Sequence, residues 1–213
     1  MKRPVLTLFA LLVATSLFAE ETQRYIVVTK LPVRTEGISA ALRELRVDVQ
    51  PRAARAFESV NGFAADLTER EVAALAKSPN VAWVEPVLER HALGEVAANA
   101  TSTQATPYGI DLIHAPQVWT GARGAAINVV VADTGIDFNH PELKAIYAGG
   151  INTFDATKTP FDDNSHGTHV SGTIAAADND FGVVGIAPMV RLWAAKVLNA
   201  SGSGTSEKLI QSI

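Results

Sequence analysis

Two groups of polar residues stand where chemistry could be done. Asp133 follows the apolar run Ala126 to Ala132 and precedes Thr134-Gly135-Ile136-Asp137. Such a run suits a strand buried on both faces of a parallel sheet. The carboxyl ends of those strands are where α/β sheets collect reactive groups. A carboxylate there is expensive to bury unless it accepts hydrogen bonds or meets a partner charge. Taken singly, Asp133 could equally cap the turn before Gly135. The second group is His166-Gly167-Thr168-His169-Val170-Ser171-Gly172-Thr173. Residues 166–177 suit a helix, with Asn164 or Ser165 as cap and His166 in the first turn. The positive end of a helix disfavours imidazolium, so His166 would stay neutral and able to accept a proton. A lone His at a helix start is otherwise a surface or capping residue. Gly167 and Gly172 each weaken a helix by roughly 1 kcal/mol, which predicts close backbone packing at both.

Together the groups describe one device. A carboxylate can orient a neutral imidazole through its Nδ1–H and leave Nε2 free as a base for a hydroxyl nucleophile. That nucleophile is missing from the two groups. A metal-dependent hydrolase using His140, His166 and His169 is a competing chemistry, but no H-E-x-x-H pattern supports it.

The elements that must hold these residues follow from periodicity. From Pro107 onward strands and helices alternate, with a strand over 190–198 and a helix opening at Thr205. That last helix stops after about two turns with its apolar face uncovered, which predicts that the natural chain continues. Ahead lies a compact block, 24–89. Tyr25 to Val28 reads as a strand and 36–48 as a helix with Ile38, Leu42 and Leu45 on one face. Residues 57–67 read as strand, with Asn61-Gly62 a hairpin turn or bulge. Thr68 and Glu71 form a capping box for the next helix, and Val81 to Val87 is a last strand. The order β-α-β-β-α-β is a split βαβ layout, marginal in stability at this size unless it docks against something larger. Residues 90–103, rich in Ala, Asn, Thr and Ser, read as an exposed linker open to proteolytic nicking or as a plain interdomain connection.

Lys2 and Arg3 followed by the apolar stretch Val5 to Leu17 make 1–19 a signal peptide, with Ala19 or an earlier small residue at the cut; a buried N-terminal helix is the alternative. The protein is therefore expected outside the cell, with no membrane span after signal removal. There is no cysteine, so packing or bound ions must stabilise it. The formal charge of −4, without a dense basic patch, argues against nucleic acid as a partner.

Asp133 to Asp137, His140-Pro141-Glu142-Leu143 and His166 to Thr173 closely resemble the subtilisin-like serine proteases, as do Gly185-Ile186-Ala187-Pro188, Lys196-Val197-Leu198 and the opening Pro107-Tyr108-Gly109-Ile110. The likeness covers 104–213. It implies a parallel-sheet three-layer peptidase domain, with Asp133 orienting the imidazole and His166 as general base and then acid. The family's serine and oxyanion-hole Asn lie beyond residue 213. It further implies that Leu198 lines the substrate pocket and that Gly202, Ser203 and Gly204 form a substrate-binding edge. Residues 24–89 look like the family's inhibitory propeptide. A structural calcium ion is implied at Gln104, Glu142, Asn179 and the carbonyls of Ala177, Phe181 and Val183, with Glu142 where an Asp is more usual. The expected molecule is a monomeric, secreted endopeptidase zymogen acting on peptides and inhibited by its own propeptide. The alternative is a non-enzymatic inhibitor or pseudo-protease working through 24–89.

Overall fold

The computed structural model describes residues 20–33, 37–93 and 103–213; the expected signal peptide and residues 94–102 of the expected linker lie outside them. The N-terminal unit runs β1 (Gln23–Thr29), α1 (Ile38–Leu45), β2 (Arg52–Phe57), β3 (Gly62–Leu67), α2 (Glu69–Ala76) and β4 (Val81–Pro86). Its antiparallel sheet has the order β2-β3-β1-β4, so the two long connections each cross one strand, as a split βαβ unit requires. The region between β2 and β3 is neither one continuous strand nor a two-residue hairpin. A 3-10 turn over Glu58–Val60 leads to Asn61 in the left-handed region (φ 50°), a conformation Asn tolerates. The capping box of Thr68 and Glu71 is present at α2.

Ile26, Val27 and Val28 are all buried because this sheet is covered on both faces. Val27 and Phe63 pack with Leu42, Leu45 and Leu75 from the two helices. Ile26, Val28, Phe57 and Ala64 face the other way and meet Ile210.

The C-terminal unit begins with α3 (Tyr108–Leu112) and continues β6 (Asn128–Asp133), β7 (Tyr147–Asn152), α4 (His166–Ala175), β8 (Arg191–Lys196), β9 (Ser203–Thr205) and α5 (Ser206–Gln211). Strands β6, β8 and β7 form a parallel sheet in that order, with Asp133 level with Lys196. Val131, Leu192 and Ala194 pack against Ala175, Val170 and Ile174 of α4. The molecule is a mixed α/β protein with a parallel sheet behind a small α+β unit. The expectation that β6 is buried on both faces does not hold among the described residues: Val130 is 61% exposed.

The two units are joined by an unanticipated strand, β5 (Glu89–His91), between β4 and the undescribed stretch. It pairs antiparallel with β9: Glu89 with Thr205, Arg90 with Gly204, His91 with Ser203. Arg90 and His91 therefore lie on an edge strand, although both are exposed as a linker would be. Ser206 extends the junction, its N–H donating to the Leu88 carbonyl and its hydroxyl accepting from the Leu88 N–H. Beside it, the Arg24 guanidinium grips both oxygens of Glu207 at 2.8 and 2.9 Å. A two-pronged Arg–carboxylate pair, partly shielded from water, is stronger than an ordinary surface pair.

Arg24 holds the Glu207 carboxyl below the usual carboxylate range, outweighing burial, which acts the other way. A depressed folded-state pKa contributes stability that is complete above the ordinary carboxylate range and is lost as pH falls through the depressed value. Arg24→Ala and Glu207→Ala, alone and combined, are expected to show a coupling of about 1–2 kcal/mol in denaturant melts at neutral pH, shrinking in acid. Additive single effects at neutral pH would show that the pair contributes nothing to holding the units together.

Candidate active site

The end of β6 and the start of α4 bring the two sequence-predicted polar groups into contact. Asp133 is buried, and its oxygens lie 2.8 and 2.9 Å from Nδ1 of His166. A carboxylate only accepts, so Nδ1 carries the proton and donates, leaving Nε2 with its lone pair in the neutral ring. Asp133 is fixed from three directions. Its Oδ1 accepts from the Thr134 N–H at 2.6 Å, and its carbonyl accepts from the N–H groups of Val197 and Leu198.

Close approach of α4 to the loop after β6 makes this possible. A Cβ on Gly167 would strike the carbonyl oxygen of Gly135, so only glycine lets the helix start so near. Gly172 is different: nothing lies within 4 Å of where its Cβ would sit, so the packing expected there is absent. The cap also differs from expectation. Ser165 occupies the cap position at φ 84° and its side chain caps nothing. Asn164 Oδ1 accepts from the His166 N–H, but at 3.3 Å. The stronger acceptor is Asp162, which periodicity and cap rules did not single out. It takes the N–H groups of Asn164, Ser165 and Thr168 and the hydroxyls of Thr134 and Thr168. Burial disfavours its charge, but the Thr168 hydroxyl and then these other donors hold its carboxyl below the usual range. Lys196, also buried, completes the support by donating to the Thr134 carbonyl and to Asp163. No local spacing signal marks either residue, because their partners lie on other elements.

Leu198, Gly202, Ser203 and Gly204 fall together beside this pair. Leu198 bridges to Gly204 across the loop, and Asn164 donates to the Ala200 carbonyl. An edge strand of this kind can take an extended peptide through main-chain hydrogen bonds. The chain's own β5 holds that position, and Ala92 follows it, donating its N–H to the Gly202 carbonyl at 2.7 Å. Ala92 packs with Ala195, Val197 and Leu198.

The six residues named for calcium also share one neighbourhood. Ala105 bridges to Val183, and the N–H of Gln104 donates to the Asp180 carbonyl. Glu142 is buried and accepts from the Asn179 amide at 2.9 Å and the Val183 N–H at 3.2 Å, both uncharged. Its own carbonyl accepts from the Ala177 N–H. The Gln104 amide nitrogen turns to Asp178, which also pairs with Arg123, and Asn179 Oδ1 accepts from the Phe181 N–H. The competing set of His140, His166 and His169 does not assemble: among the described residues no three His, Cys, Asp or Glu side chains gather to hold a metal ion.

A parallel sheet with a carboxylate–imidazole pair at its carboxyl edge, clasped by a small split-βαβ unit, defines a protease-like core with an attached inhibitor-like domain. Residues 124–213 match the profile of the subtilase family, and residues 24–92 match that of peptidase inhibitor I9. The chain therefore carries a subtilase domain over 124–213 with a peptidase inhibitor I9 domain ahead of it over 24–92. Subtilisin E of Bacillus subtilis (strain 168) is 43% identical over 159 residues, which is 74% of this chain and 39% of the relative. The thermostable alkaline protease of Halalkalibacterium halodurans is 37% identical over 196 residues, 92% of this chain and 49% of the relative. An intracellular serine protease of Paenibacillus polymyxa is 51% identical over 111 residues, 50% of this chain and 34% of the relative. The chain thus spans half or less of the length of these curated relatives.

Proposed function

We propose that this chain belongs to a secreted serine endopeptidase made as a zymogen, whose serine nucleophile lies outside residues 1–213. The observation that carries the reading is the contact of both Asp133 oxygens with Nδ1 of His166. With Nδ1–H engaged, Nε2 takes the proton of a serine hydroxyl as that oxygen attacks a peptide carbonyl, and then returns it to the leaving amine. Asp133 steadies the imidazolium formed between these steps. Leu198 and the edge at Gly202, Ser203 and Gly204 hold the substrate main chain. The I9 domain, through β5, fills that edge and acts as the intramolecular inhibitor until it is cut away. The working enzyme is a monomer outside the cell. The I9 match at 24–92 and the resemblance of 1–19 to a signal peptide support these parts of the reading.

The experiment is hydrolysis of a peptide substrate by protein expressed from its whole gene, with and without a serine-directed phosphonylating inhibitor. Turnover abolished by the inhibitor is expected. Turnover that survives it and disappears with a zinc chelator would sink the reading, and inhibition of other proteases without any turnover would make 24–89 the working part. Purified residues 1–213 are expected to be inactive, because nucleophile and oxyanion hole supply what binding alone cannot.

Calcium belongs to the same reading. Glu142 is a buried carboxylate whose named partners are neutral amides, and a divalent cation there would supply the missing charge. Gln104, Glu142, Asn179 and the carbonyls of Ala177, Phe181 and Val183 would hold it, cross-linking the 104 and 177–183 segments in a chain without disulfides. Calcium at about a hundred times its dissociation constant should stabilise this chain by ~2.7 kcal/mol over a chelator-treated sample. Glu142→Gln should lose most of that gain, and a thermal midpoint indifferent to calcium would remove the ion from the account.

A further inference from the structure

We infer that Asp162 is a positioning residue that sets the contact between Asp133 and His166, an inference that rests on the reading of that pair given above. The carboxylate lies between the two segments that carry the pair and binds both. On the β6 side, Oδ1 accepts from the Thr134 hydroxyl at 2.8 Å, one residue after Asp133. On the α4 side, Oδ1 accepts from the N–H groups of Asn164 and Ser165, both at 3.0 Å, and Oδ2 from the N–H and hydroxyl of Thr168 at 2.8 and 2.6 Å.

The same hydroxyls carry a second tier of bonds between the segments. Thr134 Oγ1 accepts from the Gly167 N–H at 2.9 Å, and Thr168 Oγ1 accepts from the Asp137 N–H at 2.9 Å. Each threonine gives its single hydroxyl proton to Asp162, which turns a lone pair of the same oxygen toward the incoming N–H. Removing the carboxylate would free both hydroxyls to turn and undo both tiers. Ser165, directly before His166, sits at φ 84°, a conformation that a non-glycine residue keeps only when its surroundings hold it. Its N–H is held by Asp162. None of the hydrogen bonds of Asp162 goes to His166 itself. With Asp162 charged, the His166 ring is placed by a rigid frame rather than by its bond to Asp133 alone.

The test uses this 213-residue chain, where His166 can be observed without turnover. The reporter is the low-field Nδ1–H resonance of His166 by NMR, together with its exchange with water. In the parent chain the resonance is expected to be present and slow to exchange. Asp162→Asn keeps an acceptor for Thr134 but faces a donor against the Thr168 N–H, so the signal should broaden away or exchange faster by on the order of tenfold or more. Asp111→Asn removes the same charge from an exposed position on α3 and should leave the signal in place. Thr168→Val should act like Asp162→Asn, while Thr168→Ser, which keeps the hydroxyl, should restore the parent behaviour. If Asp162→Asn fails to fold, the two Thr168 variants decide in its place. An unchanged signal in folded Asp162→Asn, or in Thr168→Val, overturns the inference. A parent chain without the resonance overturns the reading of the pair itself, and Asp162 then has nothing to position.

Discussion

Peptide hydrolysis by the protein expressed from its whole gene is expected to fall by on the order of three to six powers of ten when His166 is replaced by alanine. Among the described residues, His166 is the base that meets Asp133 through Nδ1 and leaves a second ring nitrogen free to take a proton. Without it a serine hydroxyl would have to lose its proton to water, and the leaving amine would depart without an acid. Asp133→Asn should cost about 10⁴ in kcat for a different reason. The asparagine amide would donate to Nδ1, forcing the proton onto Nε2, so the base would be absent although the ring stays in place. Asp133→Ala leaves the Thr134 N–H and the imidazole without their shared acceptor and should fall in the same range. Steady-state kinetics with a circular-dichroism check of folding measures all three. Near-parental rates in a folded His166 or Asp133 variant would remove the pair from the chemistry.

Truncating Phe63 to alanine should unfold the I9 domain at ambient temperature. Phe63 is fully buried in β3, between β1 and β2, and packs with Val27, Leu42, Leu67 and Leu75. Phe-to-Ala changes at such positions cost about 3–5 kcal/mol through lost burial and the cavity left behind. A domain of this size rarely has more than about 3–5 kcal/mol to lose. The consequence reaches the other unit, since β5, Arg24 and the sheet face under Ile210 are all carried by this domain. Hydrogen exchange should show loss of protection in β1 and β3, followed by freed amides in β9, while β6 and β8 stay protected. Protected β1 and β3 amides in Phe63→Ala would contradict this account. Trp83→Ala is the fitting control, because that side chain is 54% exposed and little packing is lost with it.

These two effects differ in how readily the sequence announced them. Phe63 lies just after Asn61-Gly62 in an apolar stretch, and Thr68 with Glu71 marks the following helix, so strand, turn and helix order were readable from spacing of a few residues. The crossed sheet order then follows from the split βαβ layout. Asp133 and His166 are legible from their positions at a strand end and a helix start, and from the resemblance of the segments around them. Signals of this kind are local, since period, caps and turn residues act over one or two helical turns.

What spacing could not give were the meetings between distant segments. Nothing near Asp162 says that its carboxylate takes the hydroxyls of both Thr134 and Thr168, nor does Lys196 announce its bond to the Thr134 carbonyl. Arg90 and His91 read as linker because their partners, Gly204 and Ser203, lie more than a hundred residues on. The backbone contact that excludes a side chain at Gly167 but not at Gly172 depends on where α4 crosses the Gly135 loop. The sequence by itself determined β1, α1, β3, α2, β4, β6, α4 and β8 and which residue types stand at their ends, whereas β2, β5 and β7 carry no comparable local signal. Tertiary packing alone decided which buried donors and acceptors share a partner, because that pairing is settled only when the elements exclude water between them.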